Sequence, residues 1–157
     1  DNVNSIINDQ NITYRGIQVY DKVANNRCAA DYPFLSIERI NTKSVNTGGR
    51  LKRMIRFLKN IKADSKQKID LSSFDINAIC YNIDIDAYKD LHYLYLVTIV
   101  FLQLHKIAYD ESYANSITSV DGKEYIFRGN NKRRDVATML QNVSTIYSIL
   151  KEQHLII

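Results

Sequence analysis

Cysteine is scarce in this chain: Cys28 and Cys80 are the two in 157 residues, and their separation fits no metal-binding spacing. Cys80 falls in an apolar helical stretch and is expected to be a buried thiol, with Cys28 in a loop. This points to a reduced, cytoplasmic setting. Histidine is equally sparse. His92, His105 and His154 lie too far apart in sequence to suggest a metal triad, and His92 and His105 are expected to be structural or exposed. No apolar run suffices for a membrane span. The longest, Leu91 to Ala108, is interrupted by His92, Thr98, Gln103, His105 and Lys106 and is expected to form a central buried helix. The opening residues are polar, so no signal peptide is visible. No internal repeat, low-complexity tract or domain boundary interrupts the chain.

What is present bounds the fold. The length is that of one ordinary domain with room for a real core. A hydrophobic content of 45% excludes wholesale disorder. The net charge of +4 is mildly basic, which favours anionic partners without requiring nucleic acid.

Hydrophobic periodicity predicts mostly helices. Ile12 to Tyr20 has a strand-like composition with a glycine interruption. The only proline, Pro33, precedes an apolar segment from Phe34 to Ile40, and Asn41 to Asn46 is expected to be a polar connection. Asp121-Gly122 between short apolar runs predicts a small hairpin. The last helix is expected over Arg133 to Gln153, with Val136, Met139, Leu140, Val143, Ile146, Tyr147 and Leu150 on its core face. The expected fold is mainly α: a bundle of about four to five helices with a few short N-terminal strands and the hairpin. Residues 1–157 form a single domain, with 1–46 as a strand and loop lead-in and 47–157 as the helical part.

The middle of the chain carries the chemistry. In GGRLKRMIRFLKNIK, Leu51, Met54, Ile55, Leu58 and Ile61 make one apolar stripe, and Lys52, Arg56 and Lys59 make a second, basic one. Arg50 and Arg53 add charge, and Thr47 is a candidate cap before Gly48 and Gly49. Such a stripe is either a solvated face or an anion-facing side. The following helix opens with Ser72-Ser73-Phe74-Asp75. Ser72 and Asp75 fit a capping box, and Ser73 sits just inside with its hydroxyl able to point outward. A helix start offers unpaired amides and partial positive charge, which suit phosphate. A second basic cluster, Lys132-Arg133-Arg134, is expected to be a solvated helix start partly neutralised by Asp135, with phosphate or nucleic-acid contact as the alternative.

The segments YPFLSIERINTKSVNTGGRLKRMIRFLKNIKAD and LSSFDINAICY resemble part of the DNA polymerase β-like nucleotidyltransferase superfamily. The similarity is to the helical domain that follows the catalytic core in bacterial nucleotidyltransferases related to cyclic GMP-AMP synthase and oligoadenylate synthase. Matching sections run from about Tyr14 to the C-terminus, while the specific motif covers only the middle. The resemblance implies that Lys59 and Ser73 contact the triphosphate of a bound nucleotide, with Arg56 as a helper. Lys52 and Ser72 complete the candidate set.

The resemblance also implies a catalytic core bearing a Gly-Ser pair and carboxylates that hold two metal ions. Asp84-Ile85-Asp86 lies at roughly the right distance after Ser72-Ser73. No glycine precedes that serine, however, and a polar turn with solvated carboxylates is expected. The core and its magnesium are therefore expected on a preceding segment or a separate chain, and this chain alone is expected to bind nucleotide weakly and turn over nothing. ATP, GTP, CTP and UTP all stay open as substrate. Two other readings stand beside this one: a non-enzymatic nucleic-acid-binding module using both basic clusters, and a structural domain that packs on an acidic protein partner.

Overall fold

The computed structural model describes residues 20–21, 26–27 and 33–157. Two-residue strands β1 (Tyr20–Asp21) and β2 (Asn26–Arg27) pair antiparallel, Tyr20 opposite Arg27. Most of the expected Ile12–Tyr20 strand, and Cys28, lie outside the described residues. Six helices follow: α1 (Pro33–Asn46), α2 (Arg50–Asp64), α3 (Ser73–Tyr81), α4 (Leu96–Tyr109), the short α5 (Glu111–Ser116) and α6 (Lys132–Glu152). The mainly helical expectation holds.

Helix α4 is the centre. It packs chiefly along α6 and also touches α5, α2 and α3. Val100, Leu104 and Ile107 from α4 meet Leu51, Met54 and Leu58 from α2, Ile76 and Ile79 from α3, and Val136, Met139 and Val143 from α6, all buried. The apolar stripe of α2 is buried as expected except at Ile61, which is half-buried. On α6 the inward residues up to Val143 are buried. Ile146, Tyr147 and Leu150 are only half-covered, and Tyr147 stacks on Phe101 with ring centroids 4.6 Å apart. Gln103 interrupts the apolar run of α4 yet is buried. It donates to the Ile79 carbonyl at 2.9 Å and accepts from the Tyr113 hydroxyl at 2.7 Å, which offsets the cost of desolvating its amide.

Three local expectations need correction. Asn41 to Asn46 is helical, not a connection. Its inward face is polar but satisfied: Lys43 Nζ donates to the Tyr81 carbonyl and, at 2.7 Å, to the Ile83 carbonyl, and Ser44 is buried. Hydrophobic periodicity misses a face anchored by hydrogen bonds. Thr47 does not occupy the cap position of α2. Gly49 does, at φ 82, and Gly48 precedes it at φ 60, a left-handed pair that glycine adopts without Cβ strain. The Thr47 hydroxyl still accepts from the Leu51 amide at 3.2 Å, so it caps from two residues upstream. Finally, the run from Leu91 does not become α-helical until Leu96. His92 Nδ1 accepts from the Leu94 amide, and Tyr93–Tyr95 forms a 3₁₀ turn.

The hairpin at Asp121-Gly122 is present as a single antiparallel bridge between Thr118 and Tyr125. Gly122 has φ 74, and the buried Asp121 carboxylate accepts from the Ser119 hydroxyl. Arg39 of α1 donates to the Val120 carbonyl at 2.8 Å, tying α1 to the hairpin.

Cys80 is fully buried, and burial pushes its thiol up to about 12. The unfolded chain therefore loses this proton first. Stability is fully present below the thiol's ordinary value near 9.0 and falls as pH rises from there through about 12. Tyr88 is raised as well, by burial first and then by Cys80, Asp84 and Tyr81, so it acts in the same direction. Denaturation midpoints are expected to drop between pH 9 and 11, with a shallower drop in Cys80→Ala. In a Cys28→Ser background the native protein is also expected to resist iodoacetamide at pH 8, reacting only after unfolding. Rapid native alkylation would contradict the buried thiol.

Candidate functional site

Helix α2 carries six cations, and the structure sorts them into two groups. Arg50 donates to the Leu91 carbonyl at 2.7 Å and the Thr47 carbonyl at 3.0 Å, and its guanidinium lies over the Tyr93 ring. Arg53 sits over the same ring, 3.9 Å from its centroid. Lys62 donates to the Leu71 carbonyl at 2.6 Å. These three are structural, and Tyr93 packs at the rim against two guanidinium groups. Lys52, Arg56 and Lys59 are exposed, and among the described residues their side chains have no acceptor, ion-pair partner or aromatic ring. They share one face at four- and three-residue spacing, spanning about 10 Å at 1.5 Å rise per residue. Three like charges held along one face repel each other and attract an anion.

Helix α3 packs against α2. The Lys62–Leu71 bond joins the last turn of α2 to the residue just before Ser72, so the end of α2 lies beside the start of α3.

The expected capping box is formed. Ser72 Oγ accepts from the Asp75 amide at 3.1 Å, and Asp75 Oδ2 accepts from the Ser72 amide at 2.9 Å. Two amides at the helix start are thereby used. The Ser73 and Phe74 amides and the exposed Ser73 hydroxyl have no partner among the described residues. This is the donor arrangement a phosphate oxygen takes at a helix start. Ser72 is placed differently. It borders a cleft of about 430 Å³ between the starts of α3 and α6, where Asp70, Asp75 and Asp135 also line the wall. Lys132 lines it too, but three carboxylates outnumber one ammonium, so that side disfavours an anion.

The second basic cluster is mostly occupied. Lys132 pairs with Asp75 at 2.9 Å. Arg133 donates to the Ile107 and Ala108 carbonyls at the end of α4, at 3.0 and 2.8 Å. Only Arg134 stays exposed without a side-chain partner among the described residues. The Lys132–Asp75 tie crosses 57 residues of sequence, and no local pattern announces it.

Asp84 and Asp86 are exposed, as expected for a polar turn. Asp84 caps the 3₁₀ turn Ile85–Ala87 by accepting from the Asp86 amide, and Asp86 pairs with Lys89 at 3.0 Å. No group of three His, Cys, Asp or Glu side chains among the described residues is placed to hold a metal ion. His92, His105 and His154 are all exposed. No helix among the described residues is long and apolar enough to cross a membrane.

Comparison with known proteins assigns this helical bundle to a family. The chain belongs to the family of cGAS/DncV-like nucleotidyltransferase C-terminal helical domains, whose model matches residues 38–148. It is 52% identical over 153 residues to a c-di-GMP synthase of Capnocytophaga granulosa, an alignment covering 96% of this chain and 44% of that protein. It is 47% identical over 148 residues to a c-di-GMP synthase of a Flavobacteriaceae species, covering 91% of this chain and 40% of the relative. The solved structure of the STING-associated CdnE c-di-GMP synthase from Capnocytophaga granulosa superposes with a TM-score of 0.83 at 52% identity, covering 89% of this chain and 46% of that one. The chain thus spans less than half the length of these bacterial relatives.

Proposed function

We propose that this chain is the helical part of a bacterial, cytoplasmic cyclic dinucleotide synthase and that it binds the triphosphate of GTP. One observation carries the reading. Among the described residues, three of the six cations on α2 have no partner and form a single stripe, on the helix whose last turn is tied to the residue before Ser72, and that helix start keeps two amides and a hydroxyl without partners. Lys59 supplies the principal charge to the phosphates, and the Ser73 hydroxyl and the Ser73 and Phe74 amides donate to phosphate oxygens. Arg56 and Lys52 extend the positive field toward the start of α2. Ser72 holds the amides in place through the capping box.

GTP is chosen over the other nucleotides because the relatives' names give c-di-GMP as product. Magnesium would be held by the carboxylates of a nucleotidyltransferase core, the partner this half requires. The carboxylates among the described residues do not form such a site. The nucleic-acid reading is weakened because Lys132 and Arg133 are already committed within the fold. Thermal unfolding with each of the four nucleoside triphosphates, with and without magnesium, tests the proposal. A rise in melting temperature selective for GTP is the expected result. An equal response to all four, or a response to long RNA that grows with its length, would count against it.

A further inference from the structure

The start of α3 is held from outside its own helix. Asp75 is 2% exposed and uses both carboxylate oxygens: Oδ2 accepts from the Ser72 amide, and Oδ1 accepts from Lys132 Nζ at 2.9 Å. Three residues further along α6, Asp135 Oδ1 accepts from the Asp70 amide at 3.0 Å. Two side chains from the first turn of α6 therefore grip the chain on either side of Leu71-Ser72. A carboxylate in a capping box alone can release and re-form its bond to the cap amide. Tied to a cation from a second helix, it is restricted to one geometry.

We infer that the first turn of α6 is a positioning element for the phosphate site. Lys132 acts through Asp75, and Asp135 acts through the Asp70 amide. Together they fix the start of α3, so that the free Ser73 and Phe74 amides keep one orientation relative to the basic stripe. This rests on the reading of that helix start as the triphosphate site. Neither residue touches the nucleotide. The grip matters because donors prepared before binding spare the ligand the cost of ordering them.

The test pairs amide hydrogen exchange with GTP titration on the 157-residue chain in wild type, Lys132→Met, Lys132→Arg and Ser73→Ala. Lys132→Met is expected to speed exchange at the Ser72 and Asp75 amides by about tenfold or more, while the amides of Leu104 and Met139 stay protected. GTP affinity is expected to fall about tenfold in the same variant, and Lys132→Arg restores both properties. A general loss of stability would move exchange everywhere and would not separate these sites. Unchanged exchange at Ser72 and Asp75 in Lys132→Met overturns the inference. So does unchanged GTP affinity in Lys132→Met when Ser73→Ala loses it. Absence of GTP binding in the wild type is a different failure, because it removes the phosphate site itself.

Discussion

Lys59→Ala is expected to weaken GTP binding by about tenfold or more, and Ser73→Ala by a smaller factor. A hydrogen bond to a charged group contributes about 1.5–3 kcal/mol, and each 1.4 kcal/mol is a factor of about ten in affinity. Lys59 is exposed and solvated in the free protein, so the lower end of that range applies. Ser73 donates from a neutral hydroxyl, worth about 1 kcal/mol, and its backbone amide survives the substitution. Arg56→Ala and Lys52→Ala are expected to have progressively weaker effects if Lys59 is the principal contact. Isothermal titration with GTP in the four variants ranks them. The double variant Lys59→Ala/Ser73→Ala is expected to lose more than either single one, with a coupling term if both hold the same phosphate group. Equal, small losses at all three stripe cations would point to diffuse attraction and not to a defined triphosphate site. A control at Arg50 or Arg53 should lower stability before it lowers affinity, because those guanidinium groups are committed to carbonyls and to Tyr93.

The largest stability effect is expected at Leu104. It is fully buried at the centre of α4, where the helix meets α6, α2 and α3. Leu104→Ala removes methyl and methylene groups from a site whose neighbours come from several helices and cannot all close in. The expected loss is about 3–4 kcal/mol, combining transfer and cavity contributions. Domains of this size are stabilised by about 5–15 kcal/mol, so the variant is expected to melt roughly 10 °C lower. Leu102→Ala makes the contrast within one helix. Leu102 is 55% exposed, and its truncation is expected to stay within about 0.5 kcal/mol. Chemical denaturation of both variants checks the pair. Equal losses would mean that α4 is not the buried centre of the bundle.

Much of this was legible in the sequence wherever one helix face carries one chemistry. The apolar stripe from Leu51 to Leu58, the capping box of Ser72 and Asp75, and the core face of α6 from Val136 to Val143 all follow from spacing alone. The basic stripe was legible as a stripe but not as a set of charges unpaired among the described residues. Arg53 and Arg56 look alike in sequence, and only the position of Tyr93 after the loop separates the bound guanidinium from the free one. The same limit applies to α1, where a polar inward face anchored on distant carbonyls imitates a loop. It applies again to Lys132, whose partner is fixed by how α3 and α6 meet and not by neighbours in the chain.

Arg39, Lys43, Arg50, Lys62 and Arg133 share one habit: each reaches across to backbone carbonyls of another segment. A carbonyl is supplied by any amino acid. Positions 71, 83, 91, 107 and 120 can therefore drift among residues of suitable size without loosening the joint, whereas the residue at the other end must keep a long side chain that donates. Sequence divergence in this bundle should accordingly be lopsided. Its fastening residues should persist singly, without the correlated changes on both sides that an acid–base pair would leave behind.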